Sequence, residues 1–478
     1  MTYRIEQLLL EKKLFLNLLH GLEKNMTMNS VNRIKKAHLI SLGCARNRVD
    51  SEVMLGKLLG QGWQHTSDLL ESDVAIINTC GFIEAAKEES INTILECSEY
   101  KARNKKLKIV VAGCLTQRYK TQLAKGLPEV DLFIGTDEFV RLPELLEDTE
   151  KKIHAKVHAK RTHYIYDEHH PRVNTLSTHS AYIKVAEGCQ HNCSFCIIPA
   201  IRGKLRSRSA SSIVAEAKNL SEAGVKEINL IAQDLAAYGR DRTDGADLLS
   251  LLKELVKIEK LQWIRLLYMY PENITQEFLE FFATEKKLVK YLDIPIQHGS
   301  NKILKDMKRD VTIEEIEETI SQLRAKVPTV AIRTSVMVGF PGETEKDFED
   351  LTSFVKRARI EHLGCFSYSK EDGTVAARMS DQVEEQVKKE RQEKIMALQK
   401  EISKAGLEKH LGKTYEALIE KQDKKDKNLW LARLSTQAPE VDGILYVINR
   451  KETQLNQGDM ILVRIAETRE YDLIGETI

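Results

Sequence analysis

Three short apolar runs set the first pattern in the chain: His38-Leu39-Ile40-Ser41-Leu42, Val74-Ala75-Ile76-Ile77-Asn78 and Lys108-Ile109-Val110-Val111-Ala112. Each is β-branched and free of charge inside, as strands buried on both faces are. Helical spacing lies between them, over Ser51 to Gln61 with Asp50 as cap and over Ala85 to Tyr100. A fourth strand is expected over Val130 to Ile134. Strands alternating with helices predict an open parallel α/β domain over residues 37–147.

The alternation resumes later. Strand patterns fall at Tyr182–Val185, Glu227–Ala232, Trp263–Met269, Tyr291–Ile296, Thr329–Val338 and Leu363–Ser369. Helical patterns separate them at Ser211–Ala223, Leu248–Lys257, Gln276–Thr284, Ile313–Ala325 and Glu345–Arg357. Six β/α repeats over 181–380 predict a partial (β/α)6 barrel, with chemistry at the carboxyl ends of its strands. Residues 381–409 are charged with apolar positions at helical spacing and predict a connecting helix. Residues 410–478 hold short alternating runs split by turns such as Asp442-Gly443, the pattern of a small antiparallel β-barrel. Residues 148–180 are charged and aperiodic, and hold His154, His158, His163, His169, His170 and His179. Their irregular spacing favours a solvated linker over a metal site. Residues 1–36 form an extension, apolar but broken by Glu6, Glu11, Lys12 and Lys13. It is a poor signal peptide and reads as an amphipathic helix or as sequence ahead of a later start at Met26 or Met28.

Composition narrows the function classes. Of 478 residues, 42% are hydrophobic and 30% charged, which suits globular domains with real cores. Net charge is +1, so no bulk attraction to nucleic acid is expected. The terminal 410–478 segment, with ten basic and twelve acidic residues, points toward a basic protein partner rather than RNA phosphate. No run is long and apolar enough to span a membrane. Eight cysteines in this length are too sparse for a disulfide scaffold, and a reducing cytoplasm is the expected setting.

Six of those cysteines fall into two trios. Cys44, Cys80 and Cys114 each end or closely follow a predicted strand, and each adjoins a glycine. Loops at the carboxyl ends of parallel strands gather on one edge, so the three thiols are expected to converge. A second iron–sulfur cluster and three buried structural cysteines are the two readings. The other trio is Cys189, Cys193 and Cys196, spaced C-x3-C-x2-C after the first barrel strand. A loop that short wraps its thiolates around one metal centre. Structural zinc and 4Fe-4S clusters normally take four ligands, and the next cysteine is Cys365. A cluster here would leave one iron open to a substrate; a zinc knuckle borrowing His191 is the alternative. Polar groups at other strand ends, Gln233, Gln297, Gly339 and Glu343, are candidate cofactor contacts on the same rim. Arg202, Lys204, Arg206 and Arg208 either hold carboxylates or form a solvated face. Cys97 and Cys365 read as packing residues.

The open-iron loop resembles that of the radical S-adenosylmethionine (SAM) superfamily. With SLGCARNRVDSE, NTCGFIEAAKEES, VVAGCLTQR, RGKLRSRS and a TRAM-type terminal barrel, the chain from about residue 37 resembles that superfamily's methylthiotransferases. The stretches CGFIEAAKEES, IAQDLAAYG, IPIQH, FSYSKEDGT, APEVDG and YDLIGE are most similar to the RimO-type branch, which modifies small-subunit ribosomal protein S-twelve. The resemblance implies two 4Fe-4S clusters and SAM. Cys189, Cys193 and Cys196 would hold the cluster that binds SAM and gives it an electron. Cys44, Cys80 and Cys114 would hold the cluster carrying the donated sulfur. No catalytic residue is expected beyond these ligands. A methylthio group would join the β-carbon of an aspartate in S-twelve, with a reduced donor such as flavodoxin supplying electrons. Alternatives are a tRNA adenosine methylthiotransferase and, in another class, a zinc-containing RNA-binding module.

Overall fold

The computed structural model describes residues 33–151, 156–160, 163–450 and 454–478, so most of the expected amino-terminal extension lies outside the described residues. The chain divides into two compact units, Met1–Val173 and Asn174–Ile478. Among the described residues, no helix is long and apolar enough to cross a membrane.

The first unit runs β1 (Lys36–Ser41), α1 (Ala45–Leu59), β2 (Gln64–His65), β3 (Val74–Thr79), α2 (Glu84–Arg103), β4 (Lys108–Gly113), α3 (Cys114–Gly126), β5 (Leu132–Ile134), α4 (Leu142–Lys151) and β6 (Val157–His158). The strands form one parallel sheet in the order β2-β1-β3-β4-β5-β6. Val74 to Ile77 and Ile109 to Ala112 are fully buried, which is why these runs carry no charge. Register aligns the ends of three neighbours: Ser41 faces Asn78, Asn78 faces Ala112, and Thr79 faces Gly113.

Two expectations change here. Helix α1 begins at Ala45, not Ser51, and Asp50 lies inside it and buried rather than capping it. Nothing in Ala45-Arg46-Asn47-Arg48 breaks a helix, and extended Cys44 takes the cap position (φ −92°, ψ 170°). The stretch expected to be solvated linker packs instead. Strand β6 pairs with β5, Tyr166 is buried, and Arg172 bonds the buried Glu52 carboxylate through Nε (2.7 Å) and Nη2 (2.6 Å). Of its histidines, His154 lies outside the described residues, while His170 bonds Asp167 Oδ1 at 2.8 Å.

The second unit runs β7 (Ser180–Lys184), β8 (Ala186–Glu187), α5 (Ile198–Arg202), β9 (Arg206–Ser207), α6 (Ala210–Glu222), β10 (Glu227–Ile231), α7 (Leu248–Leu255), β11 (Trp263–Leu266), α8 (Gln276–Thr284), β12 (Leu288–Asp293), α9 (Asn301–Asp306), α10 (Ile313–Lys326), β13 (Ala331–Val338), α11 (Glu345–Ala358), β14 (His362–Ser367) and α12 (Glu385–Leu407). Six of these strands form a parallel sheet, β14-β13-β12-β11-β10-β7, as the six repeats predict. Side-chain caps start five of its helices, at Ser209, Asp247, Thr275, Thr312 and Thr344, each accepting from a backbone N–H three residues on. The chain ends in a closed barrel of β15 (Thr414–Gln422), β16 (Leu429–Leu434), β17 (Leu445–Ile448), β18 (Met460–Thr468) and β19 (Leu473–Thr477). Its pairings are antiparallel except β17 with β19, which closes it in parallel.

Candidate functional site

In the first unit the sheet register brings the three strand-end cysteines to one edge. Cys44 caps α1, Cys80 follows β3, and Cys114 opens α3 directly after β4. Their closeness is measured by the glycines beside them. A Cβ on Gly43 would lie 2.9 Å from Cys80 Cβ and 3.3 Å from its Sγ. One on Gly81 would meet the backbone of Leu115 at 2.8 Å and of Cys114 at 3.0 Å. Only residues without a Cβ let these loops approach so closely. Asn47, one turn into α1, ties the cradle together. Its Nδ2 donates to Leu42 O (3.1 Å) and Thr79 O (3.0 Å), and Cys114 Sγ lies 3.6 Å from its Oδ1. Ser90 Oγ accepts from Cys80 N and donates to Cys80 O, both at 3.1 Å, fixing the middle loop from α2. Neither Asn47 nor Ser90 stands out in the sequence, because each acts through the backbone of a neighbouring loop.

In the second unit the loop after β7 carries Cys189, Cys193 and Cys196. Gly188 (φ +77°) lets it turn, and a Cβ there would lie 2.1 Å from Lys204 O. Cys189 N donates to Gly203 O (3.1 Å), Cys196 N to Cys193 O (3.0 Å), and Ile198 N to Cys196 Sγ (3.4 Å). Between them, Ser194 is anchored on α9: its N donates to Met307 O (3.0 Å) and its Oγ to Asp306 O (2.7 Å). Burial pushes the Cys189 thiol up to about 11, so that residue needs a nearby positive charge, such as a bound metal supplies, to become a thiolate. Among the described residues, no three His, Cys, Asp or Glu side chains converge tightly enough for a single metal ion. A four-iron core is wider than one ion, and the loop's fit to it rests on a second observation. Arg309 is buried beside Cys193, and its Nε and Nη1 have no hydrogen-bond partner. Two partnerless donors on a buried cation mark a place for an anionic group.

The rim fills in from the other strand ends. His191 Nε2 bonds Asp234 Oδ2 at 2.7 Å, and Asn273 Nδ2 donates to the same oxygen at 3.1 Å. The His191 ring stacks on Tyr270, centroids 4.2 Å apart. Tyr270 Oη lies 4.0 Å from Cys193 Sγ, and burial, with the nearby Cys193, holds its phenol well above the ordinary range, so it remains a donor. Gln233 Nε2 donates to buried Glu187 Oε1 (2.7 Å), while Gln233 Oε1 is buried without a partner. Burial raises the Glu187 carboxyl's pKa, but Arg202 and Lys184 outweigh that and hold it low. Gln297 sits at φ +77° and bridges to β13, its N donating to Ser335 O at 2.9 Å. Gly339 (φ +72°) faces Lys388, where a Cβ would meet Cγ at 2.2 Å. Glu343 is buried and engaged: Oε2 accepts from Gly339 N (2.5 Å) and Phe340 N (3.1 Å), and Oε1 from Arg391 Nη1 (2.8 Å). It shapes the Gly339–Glu343 turn, which leaves Gln233 the better-placed candidate for a bound molecule. The basic run after the loop divides: Arg202 pairs with Glu187 (2.9 Å) and Arg208 with Glu216 (2.5 Å), all four buried, while Lys204 is exposed and Arg206 half-buried. Cys97 and Cys365 pack in the two cores, as expected.

Comparison with known proteins agrees with this layout. Three family models match in succession: Uncharacterized protein family UPF0004 over residues 36–135, Radical SAM superfamily over 183–355, and TRAM domain over 411–478. The chain is 45% identical to a protein of Citrifermentans bemidjiense, covering 93% of this chain and 98% of that one. It is 43% identical to one of Geobacter sulfurreducens (94% and 99% covered) and 44% identical to one of Bdellovibrio bacteriovorus (93% and 98%). All three are named ribosomal protein uS12 methylthiotransferase RimO. Among solved structures, the radical S-adenosylmethionine methyltransferase TsrM from Kitasatospora setae, with cobalamin and a [4Fe-4S] cluster bound, matches with TM-score 0.51. The match has 14% identity and covers 70% of this chain and 75% of that one, a likeness of fold.

Proposed function

This chain belongs to the ribosomal protein uS12 methylthiotransferase RimO family, and from that membership we propose a reaction for its two cysteine sites. The protein is a radical SAM methylthiotransferase acting on ribosomal protein uS12, with 4Fe-4S clusters and SAM as cofactors. The observation that carries this reading is similarity at 45% identity over 93% of the chain, spanning both cysteine trios. The acceptor is the β-carbon of a uS12 aspartate, the electron donor is a reduced protein such as flavodoxin, and the setting is the cytoplasm.

Cys189, Cys193 and Cys196 hold one cluster and Cys44, Cys80 and Cys114 the other. When bound, these clusters and SAM supply the one-electron chemistry that removes a hydrogen atom and delivers the methylthio group. Such a carbon is not acidic enough for an ordinary base, which is why no general base is assigned. The residues of this chain do the holding. Gly43 and Gly81 let the loops that carry Cys44, Cys80 and Cys114 pack closely at one edge of the sheet. Ser194 pins the second loop to α9, and the Arg309 cation offsets the negative charge gathered there. Gln233 offers its buried, partnerless carbonyl to a donor on a bound molecule. The terminal barrel, two charges net negative over 410–478, supports a basic ribosomal protein as partner over tRNA.

Mass spectrometry of uS12 peptides and of tRNA nucleosides from a deletion strain tests the reading. Loss of the methylthio group from uS12, with nucleosides unchanged, is the expected result. Loss of a modified nucleoside with an unchanged uS12 peptide overturns it in favour of the tRNA enzyme.

A further inference from the structure

Arg309 reaches the second cysteine loop by a specific turn. Helix α9 ends at Asp306, and Lys308 takes a left-handed conformation (φ +56°), rare for a residue with a side chain. That turn sends Arg309 back, its N donating to Leu304 O at 2.9 Å. The guanidinium lies over the Tyr270 ring, 4.0 Å from the centroid, and the same ring stacks with His191 at 4.2 Å. Tyr270 thus contacts both the His191 imidazole and the Arg309 guanidinium beside Cys193. Arg309 Nη2 has two weak acceptors, Pro295 O at 3.3 Å and Glu272 Oε1 at 3.5 Å. Nε and Nη1 have none.

The Glu272 carboxylate at 3.5 Å meets this buried cation on one side only, and the cation also lies against Cys193, where thiolate ligands would add anionic charge facing it. Three thiolates on an oxidised four-iron core carry net negative charge, and reduction adds one more. A fixed positive charge therefore favours the reduced form. The Tyr270 hydroxyl, 4.0 Å from Cys193 Sγ, acts in the same direction where it donates to a thiolate there, since hydrogen bonds to sulfur help set cluster potentials.

We propose that Arg309 and Tyr270 are positioning residues that raise the reduction potential of the centre held by Cys189, Cys193 and Cys196. Arg309 acts as a buried cation and Tyr270 as a hydroxyl donor to Cys193. The proposal rests on the cluster assignment above. Neither residue acts on substrate.

The test uses the full-length chain with Cys44, Cys80 and Cys114 all changed to Ala, reconstituted anaerobically so that one centre is read. The midpoint potential is followed by electron paramagnetic resonance in this parent, in R309M, R309K and Y270F. R309M is expected to lower the reduction equilibrium at least tenfold, which is 59 mV for one electron. R309K, which keeps the charge, is expected to stay nearer the parent, and Y270F to shift downward by less than R309M. Unchanged potentials in R309M and Y270F at full iron content overturn the proposal. So does reduced iron loading with an unchanged potential in the loaded fraction, which is what a purely structural role gives. If R309M does not fold, Y270F decides: a downward shift supports the proposal and none overturns it. A parent holding no iron overturns the cluster assignment itself, and is recognised before any potential is measured.

Discussion

Gly113 ends β4 at φ +94° and ψ −151°, a backbone essentially closed to other residues. A Cβ there would lie 2.2 Å from Asn78 Oδ1 and 2.8 Å from Thr79 O. Gly113→Ala is expected to cost about 1–3 kcal/mol from the backbone alone and more from the clash. Denaturant unfolding measures the loss, and a variant as stable as the parent contradicts the placement of Cys114. At this scale the sequence is partly readable. The adjacency of glycine to cysteine at three strand ends is visible, because close approach demands a residue without a side chain. The role of Arg309 is not. It sits in the charged run Lys305 to Asp310, and only the left-handed turn at Lys308 buries it. The fate of Arg202 and Arg208 is hidden for the same reason: a buried ion pair and a solvated charge look alike in a string of letters.

Among elements, the six central barrel strands fall within a few residues of their apolar runs, because burial on both faces leaves an unbroken pattern in β7, β10 and β11, while β13 and β14 alternate buried with half-exposed positions. Boundaries set by loops are harder. The run Leu473 to Thr477 is short, holds Gly475 and a charge, and follows Glu470-Tyr471-Asp472, yet it closes the terminal barrel as β19. Helix α3 is missed because Cys114-Leu115-Thr116-Gln117 looks like loop until the buried strand before it is seen to feed straight into it. Helix α1 offers a test of packing. Glycine in a helix interior is normally improved by alanine, by roughly 0.5–1 kcal/mol. Gly56 in α1 faces the returning segment, and a Cβ would lie 2.3 Å from Pro171 O and 2.7 Å from Arg172 N. Gly56→Ala should therefore reverse the usual sign and destabilise by about 1–3 kcal/mol. A gain in melting temperature would mean that residues 171–172 do not lie against this helix.

For the larger unit as a whole, a buried charge network joins the six-stranded sheet to the terminal barrel. Glu227, first in β10, accepts from Arg265 of β11 (2.9 Å) and Arg433 of β16 (2.5 Å), and Arg433 Nε donates to Glu420 of β15 (2.6 Å). Asp442, from the motif APEVDG, accepts from Tyr291 Oη (2.8 Å) and Arg333 (2.6 Å) in the same way. Burial raises the Glu227 carboxyl's pKa, but Arg433 and Arg265 outweigh that and hold it at about 2. A depressed folded pKa stabilises above the unfolded value of 4.5, and that stability drains away as pH falls toward about 2. Glu227→Gln is expected to cost about 3–5 kcal/mol at neutral pH by stranding two buried cations. It should also flatten the acid limb between those values; equal acid sensitivity in parent and variant contradicts the pairing. The activity assigned to the molecule depends above all on two three-thiol centres, and iron and sulfide analysis of anaerobically prepared protein tests that most directly. About eight irons per chain are expected, falling to about four when Cys44, Cys80 and Cys114 are replaced by Ala and to about four when Cys189, Cys193 and Cys196 are. Bound zinc in place of iron, or an iron content unmoved by either triple substitution, contradicts the account.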